Sequence, residues 1–167
     1  MRQIAEAVGV TKAALYYHFK EIEDFFLAIF ETYLEKIETL IIDIENSGVP
    51  CTEKIYLIVE RILEQPADQR AVIRLASQEM AHLSAASQHS FGERYHQRFI
   101  GRIQALLETG IQSGELCSVD PKTATWALLG MLYPYLYPVH SADISLSSET
   151  IDHLVNLFLE GMIAHPG

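Results

Sequence analysis

Residues 11–20 crowd one short segment with groups that donate hydrogen bonds or stack: Thr11, Lys12, Tyr16, Tyr17, His18 and Lys20. If Thr11 caps a helix, Lys12 falls in its first turn, where the macrodipole disfavours a cation. A helix shaped by stability alone would carry Asp or Glu there and lysine at its far end. Basic and aromatic donors in this arrangement make sense if phosphates and base edges complete the set. Lys12 can donate to guanine O6 and N7. Ala13 and Ala14 are short enough to let the backbone approach the groove and to pack on a thymine methyl. The bland alternative is a helical hairpin with a solvated charged face.

Such groups need a rigid carrier, and the flanking residues supply one. Ile4, Ala5 and Val8 mark one short helix. Gly9 follows where a tight turn wants positive φ. Val10 can plug the angle between two helices, and Leu15 and Phe19 lie four apart on the inner face of the second. The small Ala5 suits a close crossing. Helix, three-residue turn, helix is the geometry of the helix-turn-helix. Charge agrees: residues 1–20 carry Arg2, Lys12 and Lys20 against Glu6, a net of +2, whereas the remaining 9 basic and 21 acidic residues net −12. A basic tip on an acidic body is compatible with nucleic acid touched only at the tip.

The segment resembles the DNA-binding head of the tetracycline-repressor (TetR) family. The resemblance runs through Ile4-Ala5-Glu6-Ala7, Gly9-Val10, Leu15-Tyr16 and His18-Phe19-Lys20 to Glu23-Asp24. It continues more loosely in Gly114-Glu115-Leu116 ahead of Asp120-Pro121 and in two apolar C-terminal helices. The resemblance implies that Thr11 caps the recognition helix and meets phosphate, and that Lys12, Ala13 and Ala14 approach base edges. Tyr16, Tyr17 and His18 would touch phosphates or base methyls, and Lys20 a further phosphate. Two departures stand out: Ile22 replaces the family's usual lysine, and the family has another helix before residue 1. The expected layout is a head over 1–22 lacking that first helix, and an effector-binding and dimerisation domain over 23–167.

The body reads as all-α, since periodicity is helical nearly throughout and no run alternates like a strand. Residues 23–46 place Phe26, Ile29, Phe30, Tyr33, Ile37, Leu40, Ile41 and Ile44 on one side of a long helix that stops at Asn46-Ser47-Gly48. Thr52 is the expected cap of the next helix, closed by Pro66. A third spans 67–83. A fourth, over 88–113, repeats Phe91, Tyr95, Phe99, Ile103 and Leu107 at four-residue steps. Asp120-Pro121 opens a fifth, running to about Tyr137 with a bend at Pro134. Ser147 caps the last, with Ile151, Leu154, Val155, Phe158 and Met162 as its stripe.

The chain has 167 residues, 49% hydrophobic and 20% charged, a globular balance. The N-terminus has no apolar leader, which points to the cytoplasm. Cys51 and Cys117 form no metal motif and are expected as free thiols. Residues 123–142 lack Asp, Glu, Lys and Arg. Pro134, Pro138, His140 and the absence of a second such segment favour a doubly buried helix over a membrane span.

No Ser-His-Asp, paired-carboxylate or Gly-rich phosphate pattern stands out, so neither an enzyme nor a cofactor is expected. His82, His89 and His96 recur every seven residues, but Ser-Ala-Ala-Ser, read as a helix breaker, separates the first two, and no metal is expected. By resemblance, the body binds a small effector and respaces two heads. Tyr56, Met80, His82, Phe91, Tyr95, His96, Phe99, Trp126 and Met131 are candidates to line the pocket, or simply core. Leu129, Leu132, Tyr133, Leu136, Leu154, Val155 and Phe158 are candidates for a homodimer interface on the last two helices. The expected function is a ligand-responsive repressor that binds a palindromic operator in double-stranded DNA as a dimer, with no membrane role. The alternative is a ligand-binding or dimerisation protein whose truncated head reads no DNA.

Overall fold

The structure, a computed structural model, describes residues 22–136 and 146–162. The DNA-contact candidates Thr11, Lys12, Ala13, Ala14, Tyr16, Tyr17, His18 and Lys20 lie outside the described residues. The described residues are helical: α1 (Ile22–Glu45), α2 (Cys51–Leu63), α3 (Ala67–Glu79), α4 (Ala85–Tyr95), α5 (Gly101–Gln112), α6 (Pro121–Leu136) and α7 (Ser148–Glu160). The expected all-α architecture is observed.

α1 is the spine. Its buried residues Phe30, Leu34, Ile37, Ile41 and Ile44 alternate steps of four and three, which holds them on one face of a helix about 36 Å long. Leu34 belongs to that face although periodicity alone passed over it. The helix ends where expected: Gly48 adopts φ +74° and Asn46 Nδ2 donates to the Ile42 carbonyl. α2 and α3 then fold back onto α1.

α2 is capped differently from the expectation. Its cap position is Pro50, which has no side-chain acceptor, and Thr52 lies within the first turn. Glu115, distant in sequence, does the work instead. Its carboxylate accepts from the amides of Cys51 (3.0 Å) and Thr52 (2.9 Å) and from the Thr52 hydroxyl (3.1 Å). Gly114, at φ +77°, turns the chain so that Glu115 reaches α2 while Leu116 is buried beneath it.

The expected helix over 67–83 stops at Glu79 and tightens into a 3-10 turn over Met80–His82. Leu83 leaves the helix extended and buries its side chain, and Ser84 then accepts from the Ser87 amide. The break expected between His82 and His89 therefore falls at Leu83–Ser84: Ser84 is the N-cap, and Ala85, Ala86 and Ser87 are helical. Helix α4 starts three residues before the expected position 88.

The expected single helix over 88–113 is interrupted by a π-helical turn, His96–Ile100. Side chains at strict four-residue steps drift by about 40° per step around an α-helix. Over four steps that drift would turn Leu107 away from the side faced by Phe91. A wider turn takes up much of the drift. Phe91, Phe99, Ile103 and Leu107 are all buried.

α6 opens as expected, with Asp120 Oδ2 accepting from the Thr123 amide at 2.8 Å. It keeps Pro134 inside the helix and is described to Leu136. α7 is capped by Ser147, which accepts from the Thr150 amide, and packs on α2. Cys51 and Cys117 are free thiols. No helix among the described residues is long and apolar enough to cross a membrane.

Candidate effector cavity

α1, α2, α3, α4 and α6 do not close completely on one another. Between them lies a cavity of about 280 Å³, close to the lower end of the range of small-molecule sites, about 300–1,000 Å³. α1 contributes Phe30, Tyr33, Leu34 and Ile37, and α2 contributes Ile62. α3 and the turn after it contribute Val72, Ile73, Ala76 and Met80. α4 and the π turn supply Gln88, Phe91, Gly92, Tyr95 and Phe99, and α6 supplies Leu129, Leu132, Tyr133 and Leu136. Aromatic rings form a run along one wall: the centroid distances are 5.7 Å for Phe30–Phe91, 6.2 Å for Phe91–Tyr95 and 5.3 Å for Tyr95–Phe99. Such a surface recognises apolar substance through area and ring contacts rather than through charge.

Four of the nine candidate pocket residues, Met80, Phe91, Tyr95 and Phe99, line this cavity. The other five lie elsewhere. Tyr56 donates to Asp152 Oδ1 at 2.5 Å, tying α2 to α7. His82 is exposed in the 3-10 turn, and Trp126 is 44% exposed on the outer side of α6. His96 is exposed on a shallow surface depression with His89 and Glu93. Met131 is half-buried against the core but is not in the wall. Sequence reasoning missed the share of α1 and α3. The α1 face was legible as apolar, yet nothing in one sequence distinguishes a stripe facing a void from a stripe facing side chains.

Most of the interface candidates are buried within the single chain. Leu129, Leu132, Leu136, Val155 and Phe158 are each at most 7% exposed within a single chain, and Leu129, Leu132, Tyr133 and Leu136 face the cavity. A side chain already buried in its own protomer has little surface to offer a partner. Leu154 is half-buried. The outward apolar groups on these two helices are Trp126 and Leu157, the latter 68% exposed.

Polar groups are few and placed at the margins. The Tyr33 hydroxyl donates to Gln65 Oε1 at 3.1 Å. Burial pushes the Tyr33 phenol up to about 12, against the pull of the Gln65 hydrogen bond and the Arg70 charge. Outside the cavity, arginines from α4, the π turn and α5 pair with glutamates of α1: Arg94 with Glu31 (2.5 Å), Arg98 with Glu38 (3.6 Å), and Arg102 with Glu38 (3.4 Å) and Glu45 (2.9 Å). At the start of α1, Glu23 accepts from the Ser84 amide and from the Ser84 and Ser87 hydroxyls. Those hydrogen bonds hold its carboxyl below the usual range. α1 is thus joined by polar contacts, along most of its length, to α4, the π turn and α5.

Comparison with known proteins places this arrangement. Residues 48–134 match the family described as tetracyclin repressor-like, C-terminal domain, and residues 1–29 match the bacterial regulatory proteins of the tetR family. The chain is similar to YhgD of Bacillus subtilis (strain 168), an uncharacterized HTH-type transcriptional regulator. They share 23% identity over 159 residues, covering 95% of this chain and 83% of that one. Its fold is similar to that of the fatty acid degradation regulator FadR from Bacillus halodurans, with TM-score 0.79, 19% identity, and coverage of 96% and 87%. It is also similar to that of AibR, solved in complex with isovaleryl coenzyme A and operator DNA, with TM-score 0.76, 21% identity, and coverage of 95% and 85%.

Proposed function

Because the chain belongs to the tetracycline-repressor family of bacterial transcriptional regulators, we propose that it is a repressor whose DNA binding is released when a small, largely apolar effector fills the cavity. The observation that carries this reading is the cavity itself, about 280 Å³ and walled by apolar side chains of five helices. One of them, α1, follows directly on residues 1–21. A ligand that spreads the wall shifts α1 against α4, and the segment before α1 moves with it. Acyl compounds are the favoured effector class: two proteins of similar fold are a fatty acid degradation regulator and a regulator bound to isovaleryl coenzyme A.

In this reading, Thr11, Lys12, Ala13 and Ala14 face the major groove, and Tyr16, Tyr17, His18 and Lys20 hold phosphates. Residues 1–22 are the head and 23–167 the body. The protein works in the cytoplasm as a binding protein rather than an enzyme, and as a homodimer through the outward faces of α6 and α7 around Trp126 and Leu157. The test is selection of an operator from randomised duplexes, followed by displacement with octanoate and octanoyl coenzyme A. Release should occur with wild type and fail with Ile73→Trp, which fills the cavity. Equal release from Ile73→Trp would place the effector elsewhere. Leu157→Glu should weaken the dimer in sedimentation; a wild-type chain that is monomeric at micromolar concentration removes the interface.

A further inference from the structure

The corner between α2 and α3 contains two buried donors that find no acceptor among the described residues. Gln65, just beyond the end of α2, is only 9% exposed. Its Oε1 accepts from the Tyr33 hydroxyl, but its Nε2 is buried without a hydrogen-bond partner. Arg70, in the first turn of α3, has a buried Nε in the same condition. Folded proteins leave few buried polar groups unpaired, because each keeps its desolvation cost without return. One other such atom occurs among the described residues, Arg102 Nε. It differs in kind: the two other nitrogens of that guanidinium already pair with Glu38 and Glu45 on the outer side of α1.

Two features connect this corner to the cavity. Tyr33 belongs to both, lining the cavity with its ring and holding Gln65 with its hydroxyl. Ile73, three residues beyond Arg70 and so on the same side of α3, is also in the wall, and the Arg70 charge acts on the Tyr33 phenol. Both unpaired atoms are donors, so the missing partner is an acceptor. One donor carries a full positive charge, which favours an acceptor with negative charge or a strong carbonyl dipole. The rest of the wall supplies apolar area.

We propose that Gln65 Nε2 and Arg70 Nε bind the sp2 oxygen head of an acyl compound, a carboxylate or a thioester carbonyl, whose hydrocarbon chain occupies the cavity. This rests on the reading of the cavity as the effector site. Tyr33 positions the Gln65 amide by holding its oxygen, so that the N–H group is turned toward the ligand. The two donors make the site selective among molecules of equal apolar area.

The experiment measures displacement of Nile red from the full chain by octane, octanoate and S-ethyl octanethioate. Wild type should bind at least one of the two oxygen-headed compounds at least tenfold more tightly than octane. A preference confined to octanoate identifies the carboxylate as the head, and one shared with the thioester identifies the carbonyl. Arg70→Met and the pair Tyr33→Phe with Gln65→Leu should each reduce the ratio of the preferred oxygen-headed compound's affinity to that of octane at least threefold. The pair is used because Gln65→Leu alone would strand the Tyr33 hydroxyl. Retention of the full preference in both variants overturns the assignment of the donors. If wild type binds none of the three compounds, the cavity reading itself falls, and this assignment with it.

Discussion

The middle and the C-terminal stretch of α1 are made of similar residues but meet different neighbours. Toward its C-terminus, Ile41 is fully buried in company with Val59 of α2 and Leu107 of α5, both also 0% exposed. There the helices approach so closely that a Cβ on Gly110 would lie 2.6 Å from Cys51 Sγ and 2.8 Å from Leu116 Cδ1. In its middle, Phe30, Tyr33, Leu34 and Ile37 face the cavity. One half of the bundle is a packed core, and the other leaves space that its own side chains do not fill. On the proposed reading of the cavity, ligand response belongs to the middle of α1 and stability to its C-terminal stretch.

The largest test of that contrast is a pair of truncations. Leu107→Ala should lose about 2–5 kcal/mol of stability, since the packed end cannot collapse onto the gap. Ile73→Ala removes a half-buried cavity-wall side chain and should lose less than about 1.5 kcal/mol. Urea denaturation of both variants checks this; equal losses would erase the distinction between the two stretches. Next in size is Gly110→Ala, which overpacks the contact with Cys51 and Leu116 and should cost about 1–3 kcal/mol. Its destabilisation should be partly relieved by Leu116→Ala, measured as a double-mutant cycle.

A smaller effect is expected at the Glu115 cap. Burial raises the Glu115 carboxyl, but the amide hydrogen bonds from Thr52 and Cys51, the Thr52 hydroxyl and the charge of Lys54 together hold it below the usual range. The folded form therefore favours the carboxylate. Its stabilising contribution is present above the unfolded value of about 4.3 and is lost as pH falls through the lower folded value. Glu115→Ala should cost about 1 kcal/mol near neutral pH, as a lost N-cap does, and less in acid. Thermal melts at pH 7 and pH 3 read this; a cost that grows in acid contradicts it. Smallest is Tyr33→Phe with Gln65→Leu, which removes donor and acceptor together and should change stability by less than about 1 kcal/mol. Gln65→Leu alone should be worse, because the phenol then lacks its acceptor.

Cys51 gives an internal check on the packed end. Its thiol is buried, donates to the Leu106 carbonyl at 3.4 Å, and is pushed up to about 11 by burial and by the nearby Glu115 carboxylate. It should react with a thiol reagent at neutral pH more slowly than Cys117. Faster modification of Cys51 would mean that this end opens readily.

Much of the fold was legible in the sequence, for reasons that are local. The apolar stripe of α1, the stop at Asn46-Ser47-Gly48, the Asp120-Pro121 start and the Ser147 cap each depend on a few neighbouring residues. Met80, Phe91, Tyr95 and Phe99 were found as wall residues because aromatic and soft side chains at helical spacing signal an apolar surface of some kind. His82, His96 and Trp126 misled because a polar or large ring says nothing about which way its helix is turned. Leu129, Leu132 and Leu136, candidates for an interface, are buried within their own protomer. α6 is apolar on most sides, and its composition does not say which side meets its own protomer.

The sequence by itself determined most of the helices, the Asp120 and Ser147 caps and the membership of a regulator family, since periodicity, capping and the Ile4–Lys20 pattern are written in consecutive residues. The tertiary structure alone decided three other things. Glu115 caps a helix more than sixty residues away, a π turn keeps Phe91 and Leu107 both inside, and five helices leave about 280 Å³ unfilled. Each depends on where distant segments stop approaching one another. That distance is set by the summed bulk of side chains on several helices, and no local stretch of the chain contains it.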